Sequence, residues 1–198
     1  MNKRSSIGAP GVINGLDRSL VSFRYLRSIL GYSKEDLQRL ADNVGRLYKP
    51  FDLRRNPGTG KWRHIDNPVG ELKRVQQRIH GRILRSLEFP PEFCGGLVGR
   101  NAQQGAQAHT GSPVLVCMDL KNCFPSISPE NVYSAFSVEL KSSTEIASLL
   151  TRITTFENRL PQGAPTSPVL ANLVLLPMYQ QITEIAARYD CAVSYFVD

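Results

Sequence analysis

The chain has 198 residues, of which 41% are hydrophobic and 21% charged, and its formal net charge is +7. This composition excludes a disordered tail and allows one large domain or two small ones. No apolar run approaches the roughly 18 residues of a membrane span, and the first residues lack the apolar stretch of a secretion signal, so we expect an intracellular, cytoplasmic protein without a membrane partner.

Charge is spread unevenly along the chain. Residues 1–100 contain 19 Lys and Arg against 9 Asp and Glu, whereas residues 101–198 contain 5 against 8. A basic half joined to a slightly acidic half favours a protein that grips a polyanion with one part and holds a divalent metal with the other. A basic surface that serves only solubility is the alternative. The four cysteines have neither zinc-site spacing nor the density of a disulfide scaffold, and we expect reduced, buried thiols.

The first residues predict two helices and a hairpin. Apolar residues at helical spacing predict helices over 16–30 and 33–47, the second with Ser33 as its N-cap. Two extended stretches follow over 48–68, and the Pro and Gly residues of "NPGTG" predict a hairpin loop between them.

A third helix is predicted over 71–89, and it carries a stripe of arginines. At about 100° per residue, four arginines fall on one arc that is separate from the apolar arc. Such a stripe is usually a solvated face, and the alternative is a row of contacts to nucleic-acid phosphates. The four residues of this arginine stripe are Arg74, Arg78, Arg82 and Arg85.

The second half of the chain mixes strands and helices. The apolar run "PVLVCMDL" (113–120) predicts a buried strand that ends at Asp119, and "CAVSYFV" (191–197) is also strand-like. Between them the pattern predicts helices over 128–140 and 142–154. Residues 160–188 then predict a Gly/Pro loop followed by a long apolar helix that begins at Ser167–Pro168 and is kinked at Pro177.

Two strand-like runs each end on a carboxylate, Asp119 and Asp198. Nucleotidyl transfer uses two magnesium ions about 4 Å apart, and carboxylates on rigid neighbouring strands can bridge them. Taken singly, an aspartate after a strand is more often a turn residue or a helix cap. The spacing therefore suggests a metal site without establishing one.

Longer stretches carry a resemblance to a known family. "MDLKNCFPSI", "LPQGAPTSPVLANL" and "FVD", in this order, resemble three blocks of the reverse transcriptase palm, and "KWRHIDNPVGELKRVQQRI" resembles the preceding fingers block. The resemblance runs from about Tyr48 to Asp198 and is closest to the bacterial retron and group II intron branch. The two short helices before the hairpin favour the retron side.

The resemblance implies an α+β, right-hand polymerase fold. N-terminal helices would occupy residues 1–47, fingers 48–112, and an incomplete palm, an antiparallel sheet with packed helices, residues 113–198. The family pattern continues past Asp198, with more palm and a thumb that is absent here. We therefore expect this chain to be the front part of a longer polymerase, with little activity alone.

The resemblance also implies roles for individual residues. Asp119 and Asp198 match catalytic aspartates that bind two Mg²⁺ ions. Phe124 resembles a steric gate against a ribose 2′-hydroxyl, and its alternative is a core aromatic. The nucleotide would be held by Gln162 and Gly163, otherwise a generic connector, and by Arg63 and more weakly Lys61, otherwise solvated hairpin charges.

Two positions depart from the family pattern. Retron enzymes commonly show Asn-Ala-x-x-His where this chain reads "GAQAH", so Gly105 stands in the asparagine position. For His109 we expect a local hydrogen bond and not metal binding. Phe196 stands where tyrosine is usual, which removes a hydroxyl and keeps the ring.

These observations predict an RNA-directed DNA polymerase of the retron-like class that uses two-metal nucleotidyl transfer. Its partners would be a structured RNA template, a DNA or RNA primer, and deoxynucleoside triphosphates. The resemblance to retrons also implies a role in phage defence with an effector protein. The alternatives are a non-catalytic RNA-binding or assembly module on the same scaffold, and a group II intron maturase.

Overall fold

Helices account for most of the regular structure in the computed structural model, which describes residues 20–54, 60 and 62–197. The helices, listed in chain order, are α1 (Phe23–Leu30), α2 (Lys34–Asp42), α3 (Gly70–Arg82), α4 (Ala102–Gln107), α5 (Cys123–Ser126), α6 (Pro129–Ser134), α7 (Thr144–Thr154) and α8 (Ser167–Arg188). Two strands, β1 (Tyr48–Arg54) and β2 (Trp62–Pro68), lie between α2 and α3. Mixed helices and a small antiparallel sheet give an α+β fold, as predicted.

The first two helices each begin directly after a serine whose side chain caps the helix N-terminus. The hydroxyl of Ser33 accepts a hydrogen bond from the backbone N–H of Asp36 at 3.1 Å, which satisfies one of the N–H groups that the first turn of α2 leaves unpaired. The predicted second helix is thus confirmed, although it ends in a short 3₁₀ turn over Val44–Arg46. The first predicted helix begins at Phe23, and residues 16–19 of that prediction lie outside the described residues.

The predicted hairpin is present as an antiparallel pair whose register runs from Tyr48 opposite Pro68 to Arg54 opposite Trp62. Residues 55–59, most of its predicted loop, lie outside the described residues. The ring of Tyr48 stacks on Phe156, with centroids 4.3 Å apart. The base of the hairpin is thereby packed onto the segment that follows α7.

A buried side chain of α3 joins three elements. Gln76 is fully buried, and its Nε2 donates to the hydroxyl of Tyr48 at 2.9 Å and to the carbonyl of Ile153 in α7 at 2.8 Å. Burial raises the pKa of Tyr48, since the hydroxyl loses water and the charged form is disfavoured. The apolar face of α3 lies beside them in the core.

The helices of the second half follow the predicted order. Ser128 caps α6, and the predicted helix over 128–140 continues past Ser134 as a π-helical turn, Ala135–Glu139. Helix α7 is capped by Ser143. Helix α8 is continuous with Pro177 inside it, and a kink there stays a prediction.

Both predicted strands of the second half are wrong in this structure. Residues 113–120 have no regular secondary structure and are exposed along their whole length, with Met118 84% exposed, and they form no ladder with any described residue. Residues 191–197 contribute one parallel bridge, between Tyr195 and Phe93. Across the described ranges the β1–β2 pair is therefore the only sheet, and the division into fingers and palm stays a prediction.

Two further predictions concern the thiols and the membrane. All four cysteines are free, but only Cys94 is buried: Cys123 is half-buried, and the expectation of burial is wrong for Cys117 and Cys191, which are exposed. Among the helices that the structure describes, none is long and apolar enough to span a bilayer.

Candidate active site

Three of the residues that the sequence assigns to the nucleotide lie together: Arg63 of β2, and Gln162 and Gly163 of the loop before α8. We assign the Gln162 amide so that its oxygen faces Arg63, because this orientation satisfies both of its groups. The oxygen then accepts from Nη2 and Nε of Arg63 at 2.9 and 2.8 Å, and the nitrogen donates to the carbonyl of His64 at 3.0 Å. Hairpin and loop thus form one polar site.

Gly163 permits this approach of the loop to the hairpin. Its φ is +117°, in a region that disfavours side chains, and a Cβ at this position would lie 2.7 Å from Cγ2 of Ile65. A larger residue would therefore push the loop away from β2 and separate Gln162 from Arg63.

The most buried carboxylate beside this site is Asp66, which the sequence analysis did not select. It is 2% exposed and accepts hydrogen bonds from Arg159 Nη2 at 3.1 Å and from the backbone N–H of Gln162 at 3.2 Å. Its sequence signal was the alternation of β2, which places Asp66 on the same face as the buried Pro68. Its partner Arg159 could not be read from local sequence.

Of the two predicted catalytic aspartates, Asp119 lies within the described residues and Asp198 does not. Asp119 is exposed, and its negative charge adds to burial in raising the pKa of the Cys123 thiol. Asp198, like Lys61, lies outside the described residues, so the meeting of Asp119 and Asp198 stays a prediction. Within the described part of the chain, no three His, Cys, Asp or Glu side chains are grouped to hold a metal.

The segment that leads to Asp198 is anchored to the loop after α3. The N–H of Tyr195 donates to the carbonyl of Glu92 at 2.8 Å, and the N–H of Cys94 donates to the carbonyl of Tyr195 at 2.7 Å. His109 Nε2 lies 2.9 Å from the hydroxyl of Ser194, so the histidine makes a hydrogen bond as expected, but with a residue 85 positions later and not with a local one.

The ring of Tyr195 is held by α8. It stacks on Tyr179 with centroids 4.0 Å apart, and its hydroxyl donates to the carbonyl of Tyr179 at 2.8 Å. Burial, with smaller contributions from Cys123 and Tyr195, raises the pKa of Tyr179 to about 12. Tyr179 therefore stays neutral at physiological pH.

Phe124 lies in α5 and belongs to the hydrophobic core. The helix follows Asn122, whose φ of 54° is in the left-handed region that asparagine tolerates. The ring of Phe124 is 7% exposed and packs among core side chains. These contacts agree with the core-aromatic alternative, and the steric-gate role stays a prediction.

Two members of the arginine stripe bind the end of α1. Arg78 Nη1 donates to the carbonyl of Leu30 at 2.7 Å, and Arg82 Nη1 donates to the carbonyl of Ile29 at 2.6 Å. Cations near the last carbonyls of a helix satisfy acceptors that have no intrahelical partner. Arg74 and Arg85 are exposed, and phosphate contacts by the stripe stay a prediction.

Comparison with known proteins identifies the family. Residues 53–198 match the family described as reverse transcriptase (RNA-dependent DNA polymerase). The chain is 30% identical over 194 residues to the retron Se72 reverse transcriptase of Salmonella heidelberg, an alignment that covers 96% of this chain and 48% of that protein. It is 32% identical over 166 residues to the retron Ec86 reverse transcriptase of Escherichia coli, covering 84% and 52%.

A further relative is the retron Mx65 reverse transcriptase of Myxococcus xanthus, 29% identical over 171 residues, which cover 77% of this chain and 39% of that protein. The chain thus spans about half the length, or less, of these curated relatives. Since the family match covers most of the chain, the chain belongs to the reverse transcriptase (RNA-dependent DNA polymerase) family and is of the retron type.

Proposed function

We propose that this chain provides the nucleotide-binding residues and catalytic carboxylates of an RNA-directed DNA polymerase that copies a structured RNA onto a primer. The observation that carries the proposal is the contact between Arg63 and Gln162, because two residues 99 positions apart meet as one polar site. Family membership supports the same reaction class.

In this proposal Arg63 binds the triphosphate of the incoming deoxynucleotide. The planar fork of a guanidinium matches the geometry of phosphate oxygens, and the amide of Gln162 orients the fork of Arg63. Gln162 fixes the plane of that fork, and Gly163 lets the loop backbone come close to the hairpin. Lys61 would add positive charge, and Phe124 would lie against the sugar.

Asp119 and Asp198 would hold the magnesium ions. Asp119 is exposed, and a carboxylate of this kind supplies the oxygen ligands that magnesium prefers. When bound, two such ions activate a primer hydroxyl and stabilise the departing pyrophosphate. Exposed arginines of the stripe, Arg74 and Arg85, would bind template phosphates.

The test is Asp119→Ala in the protein that carries this chain, measured by primer extension on an RNA template and by RNA binding. We expect synthesis to fall by at least ~10²-fold, the scale for loss of a group that stabilises transition-state charge. RNA affinity should stay within about twofold, since Asp119 contributes no positive charge to phosphate contacts.

Glu184→Ala is the matched control, because Glu184 is an exposed carboxylate on α8 to which no role is assigned. It should leave both measurements unchanged. Undiminished synthesis by Asp119→Ala would contradict the proposed role of Asp119. RNA binding by a wild-type protein that synthesises no DNA would favour the non-catalytic module instead.

A further inference from the structure

Asp66 is a buried carboxylate at the junction between β2 and the loop that carries Gln162. An ionised carboxylate at 2% exposure is strongly disfavoured unless it is paired and hydrogen-bonded. Here it faces two cationic or titratable partners: Arg159 Nη2 at 3.1 Å and His64 Nε2 at 3.4 Å. The pairing accounts for its burial and fixes the position of its carboxylate.

Asp66 binds Gln162 through its side chain and its backbone. Its Oδ2 accepts from the N–H of Gln162 at 3.2 Å, and its own N–H donates to the carbonyl of Gln162 at 2.7 Å. On the other side of β2, Asp66 lies opposite Pro50, which has no N–H to offer the ladder. The polar backbone of Asp66 is therefore turned towards the loop.

Resting on the proposed function, we propose that Asp66 is a positioning residue that holds Gln162 against Arg63 and thereby sets the affinity for the incoming nucleoside triphosphate. Arg63 lies three positions before Asp66 in the same strand, and the Gln162 side chain spans from Arg63 to the carbonyl of His64. Strand β2 thus holds Gln162 both by its backbone, through Asp66, and by its side chain, through Arg63 and His64. Asp66 acts through Gln162 and Arg63 and does not touch the nucleotide itself.

The surroundings of Asp66 provide two matched controls. His64 also pairs with Asp52 at 2.8 Å, and Arg159 also pairs with Glu157 at 2.8 Å. The side chains of Asp52 and Glu157 are 64% and 57% exposed, so they share the partners of Asp66 without its burial or its bonds to Gln162. Exposed ion pairs of this kind contribute little to the stability of the folded protein.

The experiment compares Asp66→Asn with Asp52→Asn and Glu157→Gln in primer extension, with template and primer saturating and the deoxynucleotide varied. Asp66→Asn should raise KM for the deoxynucleotide by about tenfold while kcat changes less than about threefold, because ground-state positioning of the triphosphate is lost. Both controls should stay within about twofold of wild type. A KM within twofold of wild type for Asp66→Asn, or a loss confined to kcat, overturns the inference.

A double variant separates positioning from general destabilisation. If Asp66 acts through Arg63, then Asp66→Asn should raise KM by less than about threefold when Arg63 is already Lys, because the same contact has been weakened. A merely structural role predicts that the two changes multiply. An unchanged tenfold effect in the Arg63→Lys background therefore overturns the inference.

Amide hydrogen exchange at Gln162 tests the link without activity. In folded Asp66→Asn protein, this amide should exchange at least about tenfold faster than in wild type, and unchanged exchange overturns the inference. A wild-type protein that extends no primer would contradict the proposed function, while the exchange result would still decide the role of Asp66. If Asp66→Asn does not fold, Arg159→Lys decides: the amide should exchange about threefold faster, and wild-type exchange overturns the inference.

Discussion

At the scale of single residues, Gly95 explains how the segment beside Asp198 comes so close to the loop after α3. A Cβ at Gly95 would collide with the backbone N–H of Val197 and lie 2.5 Å from its carbonyl oxygen. The carbonyl of Gly95 is held from the other side by Nδ2 of Asn172, at 2.9 Å. Two backbones therefore cross with no room for a side chain.

We expect Gly95→Ala to displace Val197 and to destabilise the protein by about 1–3 kcal/mol, the usual cost of forcing an extra carbon into a packed site. Thermal unfolding measures the loss, and primer extension should fall with it. Gly81→Ala is the control, because Gly81 lies in α3 with no neighbouring atom within 4 Å of an added Cβ. This control should be neutral or stabilising by about 0.4–1 kcal/mol. A Gly95→Ala protein as stable as wild type would contradict the described crossing.

The residues of the proposed nucleotide site were predictable to different degrees. Arg63, Gln162 and Gly163 were selected through motif resemblance, and the structure brings them together. Asp66 was not selected, because its importance depends on Arg159, 93 positions later, and a sequence read locally does not show which distant charge will meet it. Burial and pairing are tertiary properties, and they appear only once the loop is folded onto β2.

At the scale of elements, the helices were predictable because their signals are local. Ser33 and Ser143 cap the helices that follow them, and each cap bond spans only three residues. The run 113–120 has the composition of a strand, but a strand is stabilised by a neighbour, and no described residue pairs with it. Local signals therefore predicted the helices correctly, whereas the composition of 113–120 was not enough to predict a buried strand.

Two members of the arginine stripe bind the end of α1, and the exposed Arg74 is free of that role, so we expect the members to differ in stability and in RNA binding. Because Arg78 binds the carbonyl of Leu30 and lies over the ring of Tyr32, 4.9 Å from its centroid, Arg78→Ala should lower the free energy of unfolding by about 1–2 kcal/mol. Arg74 is exposed, so Arg74→Ala should leave stability unchanged and weaken RNA binding.

Unfolding in urea and RNA affinity at several salt concentrations measure these two effects. The slope of log affinity against log salt should fall by about 0.7–1 for Arg74→Ala, as expected for the loss of one phosphate contact. If Arg78→Ala weakens RNA binding as much as Arg74→Ala and leaves stability unchanged, the structural role of Arg78 is wrong.

At the scale of the whole molecule, Gln76 connects parts of the chain that are far apart in sequence. Its one amide nitrogen binds Tyr48 at the start of the hairpin and Ile153 near the end of α7. Both bonds are buried, where an unpaired polar group is costly. Gln76 thus helps to fix the orientation of the hairpin relative to the helical core, together with the stacking of Tyr48 on Phe156.

We expect Gln76→Ala to lower the free energy of unfolding by about 1–3 kcal/mol, because it leaves the Tyr48 hydroxyl and the Ile153 carbonyl without this partner. The neighbouring Gln77 is exposed on the same helix, so Gln77→Ala should change stability by less than about 0.5 kcal/mol. Denaturant unfolding of both variants provides the comparison. Equal stability of the two variants would show that Gln76 does not couple the hairpin to the core.

The bridge between Phe93 and Tyr195 also affects the order in which parts of the chain fold. The two bridged residues are 102 positions apart, and closing a loop of that length costs conformational entropy before the contact forms. Pairings of such high contact order form slowly, whereas the capped helices form from neighbours within microseconds. The residues next to Asp198 are therefore expected to be among the last to become ordered during refolding, and under the proposed function the polymerase activity would return only after this step.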